Sequence, residues 1–208
     1  MKVVFLGDSI TVGTYTAVGE TSPQRIAKPN YVEILKEHFS WQVENLAFNG
    51  TPYSSTSSVH SQYAICKRVE EISCADIVFV AGGTNDYGTS VELGKETDEE
   101  DVSFFGAVNI VFKLLKNKAK KVVVITPIPR LREEENSKGY TLSDYRRALA
   151  VLARKYGYQV IDGQGLPIRP WDEEHKLKYM FDGVHLSIEG HQMYAEYILE
   201  QIYDQMKR

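Results

Sequence analysis

Met1-Lys2-Val3-Val4-Phe5-Leu6-Gly7-Asp8-Ser9-Ile10-Thr11-Val12-Gly13 is the stretch from which the fold is read. Val3 to Leu6 form an unbroken apolar run, the pattern of a strand covered on both faces in a parallel sheet. The run stops abruptly at Gly7-Asp8-Ser9, and Thr11, Gly13 and Thr14 continue as small loop-forming residues. In open α/β sheets, ligands bind beyond the carboxyl ends of strands, where strand order reverses. A first strand in the middle of such a sheet puts Ser9 on the floor of a cleft. A serine after a strand is also a common helix cap, so Ser9 gains chemical meaning only from the partners supplied elsewhere.

Beyond this stretch, strands and helices alternate. Pro29-Asn30 introduces a helix over Tyr31–Phe39, with Val32, Leu35 and Phe39 on one face. Trp41–Phe48 reads as a second strand, running into Asn49-Gly50-Thr51-Pro52 and a Ser/Thr-rich loop. Ser58–Ile72 has helical spacing at Val59, Tyr63, Cys66, Val69 and Ile72. Asp76–Ala81 is a third strand, ending in Gly82-Gly83-Thr84-Asn85-Asp86. An acidic loop over 88–101 leads to a helix over Val102–Leu115, and Val122–Ile125 is the fourth strand. A charged loop over 128–141 precedes a helix over Leu142–Tyr156 and a fifth strand over Tyr158–Asp162. A loop over 163–181 then leads to Asp182–Ser187 and a last amphipathic helix from Ile188. Parallel neighbours need crossover helices, so this alternation predicts a three-layer α/β/α sandwich around a five-stranded parallel sheet. No repeat, linker or composition break divides the chain, which predicts one domain over residues 1–208.

Composition narrows the function classes. The 208 residues are 43% hydrophobic and 25% charged, with a net charge of −4, ordinary values for a globular protein with a substantial core. The one basic cluster, Lys116–Lys121, sits where a solvated surface is expected, so nucleic acid is not an expected partner. Cys66 and Cys74 form no CxxC pair and have no nearby histidine pair. Reduced core thiols are the expectation, rather than a disulfide or a zinc site. The N-terminal apolar run is too short for a signal-peptide core or a membrane span, which points to the cytoplasm.

Four segments are brought to one edge of the sheet by this reading, and each carries something chemically specific. A serine hydroxyl is a weak nucleophile until a base takes its proton. His185 lies in Asp182-Gly183-Val184-His185, with a carboxylate three residues upstream that can hold the imidazole tautomer. The same Asp182 could instead be a turn cap. His38, His60 and His175 have no carboxylate at comparable spacing, and His191 reads as a packing or surface residue. Acyl transfer also needs donors aimed at the oxygen that becomes negative. The N–H of Gly50, the side-chain amide of Asn85 and the Ser9 N–H are candidates, although Asn49-Gly50 and Asn85 also suit plain turns.

In combination, these blocks resemble those of the SGNH, or GDSL-type, hydrolases. Gly7-Asp8-Ser9 resembles the family's nucleophile block, and Gly50 stands where a glycine follows the second strand. Gly83-Thr84-Asn85-Asp86 resembles the Gly-x-Asn-Asp block, and Asp182-Gly183-Val184-His185 the Asp-x-x-His block. The resemblance implies a flavodoxin-like sandwich, with Ser9 as nucleophile, His185 as base and Asp182 as its orienting acid. Gly50 and Asn85, with the Ser9 N–H, would be the oxyanion donors. It implies hydrolysis of esters, acylated sugars among them, with no metal or organic cofactor. The early serine differs from the Gly-x-Ser-x-Gly elbow of α/β-hydrolases.

Two other readings compete. Ser9, Thr11, Gly13, Thr14 and Thr16 after a first strand could cradle the phosphate of a flavin, giving a binding module. Asp8, Asp182, His185 and His191 could hold a metal, though without a tight ligand motif. The expected partner is a small ester. Loops 14–28, 87–101, 128–141 and 163–181 would set specificity, and they and the loop after the second strand carry Tyr15, Tyr53, Tyr87, Tyr140, Trp171 and Tyr179, rings able to stack on sugars. No long apolar stretch suggests an acyl tunnel, so short acyl groups, acetyl on a carbohydrate among them, are expected.

Overall fold

A computed structural model describes residues 1–206. Its parallel sheet contains β1 (Lys2–Leu6), β2 (Gln42–Asn45), β3 (Ala75–Ala81), β4 (Ala119–Ile125) and β5 (Gln159–Ile161), in the order β2-β1-β3-β4-β5. Strand order reverses at β1, which pairs with β2 on one side and β3 on the other. This is the flavodoxin-like order, whose switch point lies at the end of β1.

The sheet is covered on both faces because every second residue points to the opposite layer. Val4, Leu6, Val78, Val80, Val122 and Val124 pack with α3 (Ile65–Arg68), α5 (Phe104–Leu115) and α6 (Leu142–Lys155). Val3, Phe5, Phe79, Val123 and Ile125 pack against α2 (Tyr31–Phe39) and α8 (Ile188–Met206) on the other face. The uninterrupted run Val3–Leu6 is thus two interleaved core faces. Burying each of these side chains is worth roughly 1.5–3 kcal/mol, so both neighbours of β1 hold it from either side.

Local chemistry sets the helix starts. Asn30 caps α2 in a reciprocal box with Glu33, the two bonds being 3.0 Å each. Ser103 accepts the Gly106 N–H at 3.2 Å to begin α5, so this helix starts just after the expected Val102. Short segments also appear inside expected loops: α1 (Ser9–Val12), α4 (Thr84–Gly88), α7 (Glu173–Tyr179), and a ribbon pairing Thr14–Tyr15 with Arg25–Ile26.

Three expectations are corrected. Ser58–Ile72 is not one helix but a turn at Ser61–Tyr63, the short α3 and a further turn at Val69–Glu71. His60 takes a left-handed φ of 52°, and the Pro52 and Tyr53 carbonyls accept the Ile65 and Cys66 N–H groups. The preceding loop thereby takes donors that a longer helix would have used. The second strand ends at Asn45, whose side chain turns back to accept the Ala47 N–H at 3.0 Å and donate to the Thr11 carbonyl at 3.1 Å. Cys74 is exposed, whereas Cys66 is buried. Among the described residues, no helix is long and apolar enough to cross a membrane.

Candidate active site

Where β1 ends, Gly7 has no room for a side chain: a Cβ there would lie 2.2 Å from the Thr11 hydroxyl and 3.1 Å from the Ala81 carbonyl. The next residue, Asp8, caps α1 by accepting the Ile10 N–H at 3.0 Å. Ser9 is therefore the first helical residue rather than the cap. Burial pushes the Asp8 carboxyl up to about 6, against the Ile10 N–H and the nearby His185 and Arg130.

Asp182, Gly183, Val184 and His185 form a tight turn immediately before α8. Asp182 Oδ1 accepts the backbone N–H groups of Val184 at 2.9 Å and His185 at 2.7 Å. Its Oδ2 takes the His185 Nδ1–H at 2.8 Å and the Thr16 hydroxyl at 2.6 Å. With Nδ1 donating to a carboxylate, Nε2 is the acceptor, and it lies 2.8 Å from Ser9 Oγ. Burial opposes the charge on Asp182, but the bond and charge of His185, its backbone N–H and Thr16 together hold the carboxyl well below the usual range. Gly183 has a φ of +76°, and a Cβ there would sit 2.5 Å from Leu131 Cβ. The Leu131 N–H donates to the Gly183 carbonyl at 2.8 Å, which ties the loop after β4 to this turn.

The loop after β2 runs beside β1: the Leu46 N–H meets the Phe5 carbonyl at 2.8 Å and the Phe48 N–H meets the Gly7 carbonyl at 3.0 Å. That register sets Asn49-Gly50 next to the Asp8-Ser9 step. Gly50 has a φ of +69°, and neither its N–H nor that of Ser9 has a hydrogen-bond partner among the described residues. Asn85 Nδ2 donates one hydrogen to the Thr51 carbonyl at 3.0 Å, leaving its second free. The buried Asp86 then accepts the Tyr53 and Ser54 N–H groups at 2.8 and 3.0 Å, fixing the far side of the same loop. Burial pushes the Asp86 carboxyl up to about 7 despite those donors.

The structure thus brings Ser9, His185 and Asp182 into one hydrogen-bonded chain and draws the loops of Gly50 and Asn85 together. It does not favour the phosphate cradle. Thr11 Oγ1 bonds the Tyr31 hydroxyl at 2.9 Å, Thr14 donates to Asn49 Oδ1 at 2.7 Å, and Thr16 is committed to Asp182. Nor do Asp8, Asp182, His185 and His191 converge: no group of three His, Cys, Asp or Glu forms a metal-ligand set among the described residues. His191 is buried against Tyr31 at a ring distance of 6.0 Å, and burial pushes its imidazole down to about 3.

Three participants were not legible beforehand. Thr16 is the second hydroxyl or N–H donor on Asp182 Oδ2, and only its place in a polar loop hinted at it. Asp86 was part of a matched block but had no assigned role. Arg130 donates to the Thr84 hydroxyl and carbonyl at 3.1 and 3.3 Å and lies 5.2 Å over the Tyr87 ring. Of the six loop aromatics, Tyr53 and Tyr87 are core residues, Tyr15, Tyr140 and Tyr179 are partly buried, and Trp171 is 66% exposed.

A model of the GDSL-like lipase/acylhydrolase family matches residues 5–193. Among solved structures, a protein from Lactobacillus plantarum aligns with a TM-score of 0.83 at 24% identity, covering 98% of this chain and 96% of that one. A Bacteroides ovatus protein provisionally described as a GDSL-like lipase gives 0.72 at 17% identity, with 98% of each chain covered. An acetylxylan esterase from Geobacillus stearothermophilus gives 0.59 at 23% identity, covering 97% and 93%. At these identities the likeness is one of fold. A search of curated proteins finds no significant match.

Proposed function

The chain belongs to the GDSL-like lipase/acylhydrolase family, and on that footing we propose that it is a serine esterase acting on short acyl esters, acetyl above all, of carbohydrate alcohols. The observation that carries this reading is the unbroken relay Ser9 Oγ to His185 Nε2 and His185 Nδ1 to Asp182, both links being 2.8 Å. In the first half-reaction, Ser9 Oγ attacks the ester carbonyl carbon while His185 Nε2 takes its proton. The Ser9 and Gly50 N–H groups and the free hydrogen of Asn85 Nδ2 meet the oxygen as it becomes negative. Asp182 stabilises the imidazolium that forms. Collapse of the adduct breaks the bond to the alcohol oxygen, which leaves with the His185 proton, and an acyl-serine remains. Water repeats the sequence, with His185 again as base, and releases the acid and free Ser9.

One feature supports the substrate class. The Geobacillus structure of the same fold is that of an acetylxylan esterase.

The test is covalent and kinetic together. A fluorophosphonate probe should label the wild type at Ser9 and leave Ser9→Ala unlabelled, with 4-nitrophenyl acetate turnover lost in the same variant. Rates should decline from acetyl towards octanoyl esters. Near-normal turnover by purified Ser9→Ala would overturn the mechanism, and a maximum at octanoyl would overturn the acyl preference.

A further inference from the structure

Trp171 lines a cavity of about 460 Å³, within the ordinary range of small-molecule sites. Its other walls include Pro129 and Glu133 from the loop after β4, and Gln164, Arg169 and His175 from the segment after β5. Both loops leave the carboxyl edge of the sheet that carries Ser9, and both are tied to the Asp182–His185 turn. Leu131 bonds Gly183 in one, and the other runs directly into Asp182.

The chemistry of the walls selects a ligand class. Trp171 offers an open indole face, and Pro129, Leu166 and Pro167 add further apolar surface. The Gln164 side-chain amide has no hydrogen-bond partner among the described residues. Arg169 spends Nη2 on His175 Nε2 at 3.1 Å and leaves its other guanidinium N–H groups free. The Glu133 carboxylate is already engaged by Arg146 at 2.8 Å through both oxygens, so it shapes the wall. Arg146 also donates to the Pro127 and Ile128 carbonyls at 2.8 and 2.9 Å, and Asp172 caps α7 through the His175 N–H at 3.1 Å. An exposed aromatic face with planar amide and guanidinium donors complements a sugar ring, whose C–H face is apolar and whose edge carries hydroxyls.

We propose that this cavity is a carbohydrate subsite for the alcohol side of the ester, so that the preferred substrate is an acylated oligosaccharide rather than a single acylated sugar. The proposal rests on the esterase reading above and extends it. The kinetic test compares acetylated xylo-oligosaccharides, from the disaccharide to the hexasaccharide, with 4-nitrophenyl acetate. The ratio of kcat/KM for the longer oligosaccharides to that for the aryl ester should fall about tenfold or more in Trp171→Ala and in Arg169→Ala, through KM. Thermal melts of both variants check the fold. An unchanged ratio in folded variants, or a wild type indifferent to oligosaccharide length, would overturn the proposal.

A binding measurement separates this failure from failure of the esterase reading. The chain has two tryptophans, Trp41 and Trp171, and Trp41 is only 7% exposed. Titrating Ser9→Ala with acetylated xylohexaose should change tryptophan emission saturably, and the change should vanish in the Ser9→Ala, Trp171→Phe double variant. If no ester is hydrolysed but this titration saturates, the cavity stands and the esterase reading falls. If esters are hydrolysed but emission stays flat, the subsite falls.

Discussion

Asp182 divides its carboxylate between two parts of His185: Oδ1 accepts the His185 backbone N–H at 2.7 Å, and Oδ2 accepts ring Nδ1 at 2.8 Å. The turn cap and the imidazole partner are one residue, so the two roles separate by substitution. Asp182→Asn keeps an oxygen for the Val184 and His185 N–H groups but removes the charge facing the ring. It should lower kcat by about 10⁴, as the analogous change does in a serine triad, with a fall in Tm near neutral pH from the lost charge that disappears in acid. Asp182→Ala should also lose the cap, at a cost of about 1 kcal/mol. Steady-state kinetics beside thermal melts check both, and near-native kcat in the Asn variant would remove Asp182 from the relay.

Asn85 has one hydrogen on the Thr51 carbonyl and one to spare. Asn85→Ala should lower kcat by roughly 10²–10³ with a small change in KM, since a donor to the oxyanion acts mainly in the transition state. A loss confined to KM would make Asn85 a ground-state contact.

Gly50 combines a φ of +69° with a Cβ position 2.5 Å from His60 Cδ2. Gly50→Ala should therefore destabilise the fold by about 1–2 kcal/mol from the left-handed backbone alone and displace the N–H proposed above as an oxyanion donor. Adding His60→Ala should relieve the contact but leave the backbone strain, restoring part of kcat. A double variant no better than Gly50→Ala would show that the contact with His60 is immaterial.

The buried carboxyls predict opposite pH trends. Asp86 is raised to about 7 and Asp8 to about 6, both by burial, so each binds its proton more tightly in the fold than in the unfolded chain. Their stabilising contributions are complete below about pH 4, the unfolded value, and are lost as pH rises through those folded values. Asp182, held low despite its burial, contributes stability above about pH 4 that is lost in acid as pH falls through its folded value. The Tm advantage of the wild type over Asp86→Asn should shrink between about pH 5 and 8, whereas its advantage over Asp182→Asn should shrink only in acid. A gap for Asp86→Asn that stays flat from pH 5 to 8 would mean the carboxyl is ionised throughout.

The fold was legible where apolar periodicity and burial coincide. Val3–Leu6 announced a doubly covered strand because both layers claim its alternate residues. Short blocks brought Ser9, Asp182 and His185 together because each sits where a strand or turn ends. Ser58–Ile72 misled because its apolar spacing is real, yet the Pro52 and Tyr53 carbonyls compete for its N–H groups. Helix α7 was missed because none of its residues is fully buried, so there is no apolar stripe to read. Thr16 and Arg130 act through contacts distant in sequence, at 166 positions for Thr16 to Asp182 and 46 for Arg130 to Thr84. No local pattern encodes such pairs, and the loop tyrosines that turned inward failed as sugar platforms for the same reason.

Ser9 and His185 meet across 176 positions of chain. During synthesis, the serine is made and the first strands can pair long before its base exists. Under the proposed mechanism, Ser9 stays inert until the His185 turn is seated and the α8 behind it settles on α2, with Tyr194 lodged 4.7 Å from Tyr31. Under that mechanism, hydrolysis therefore waits until residue 185 is made and its turn is seated, and a chain stopped short of that point carries no activated serine into its surroundings.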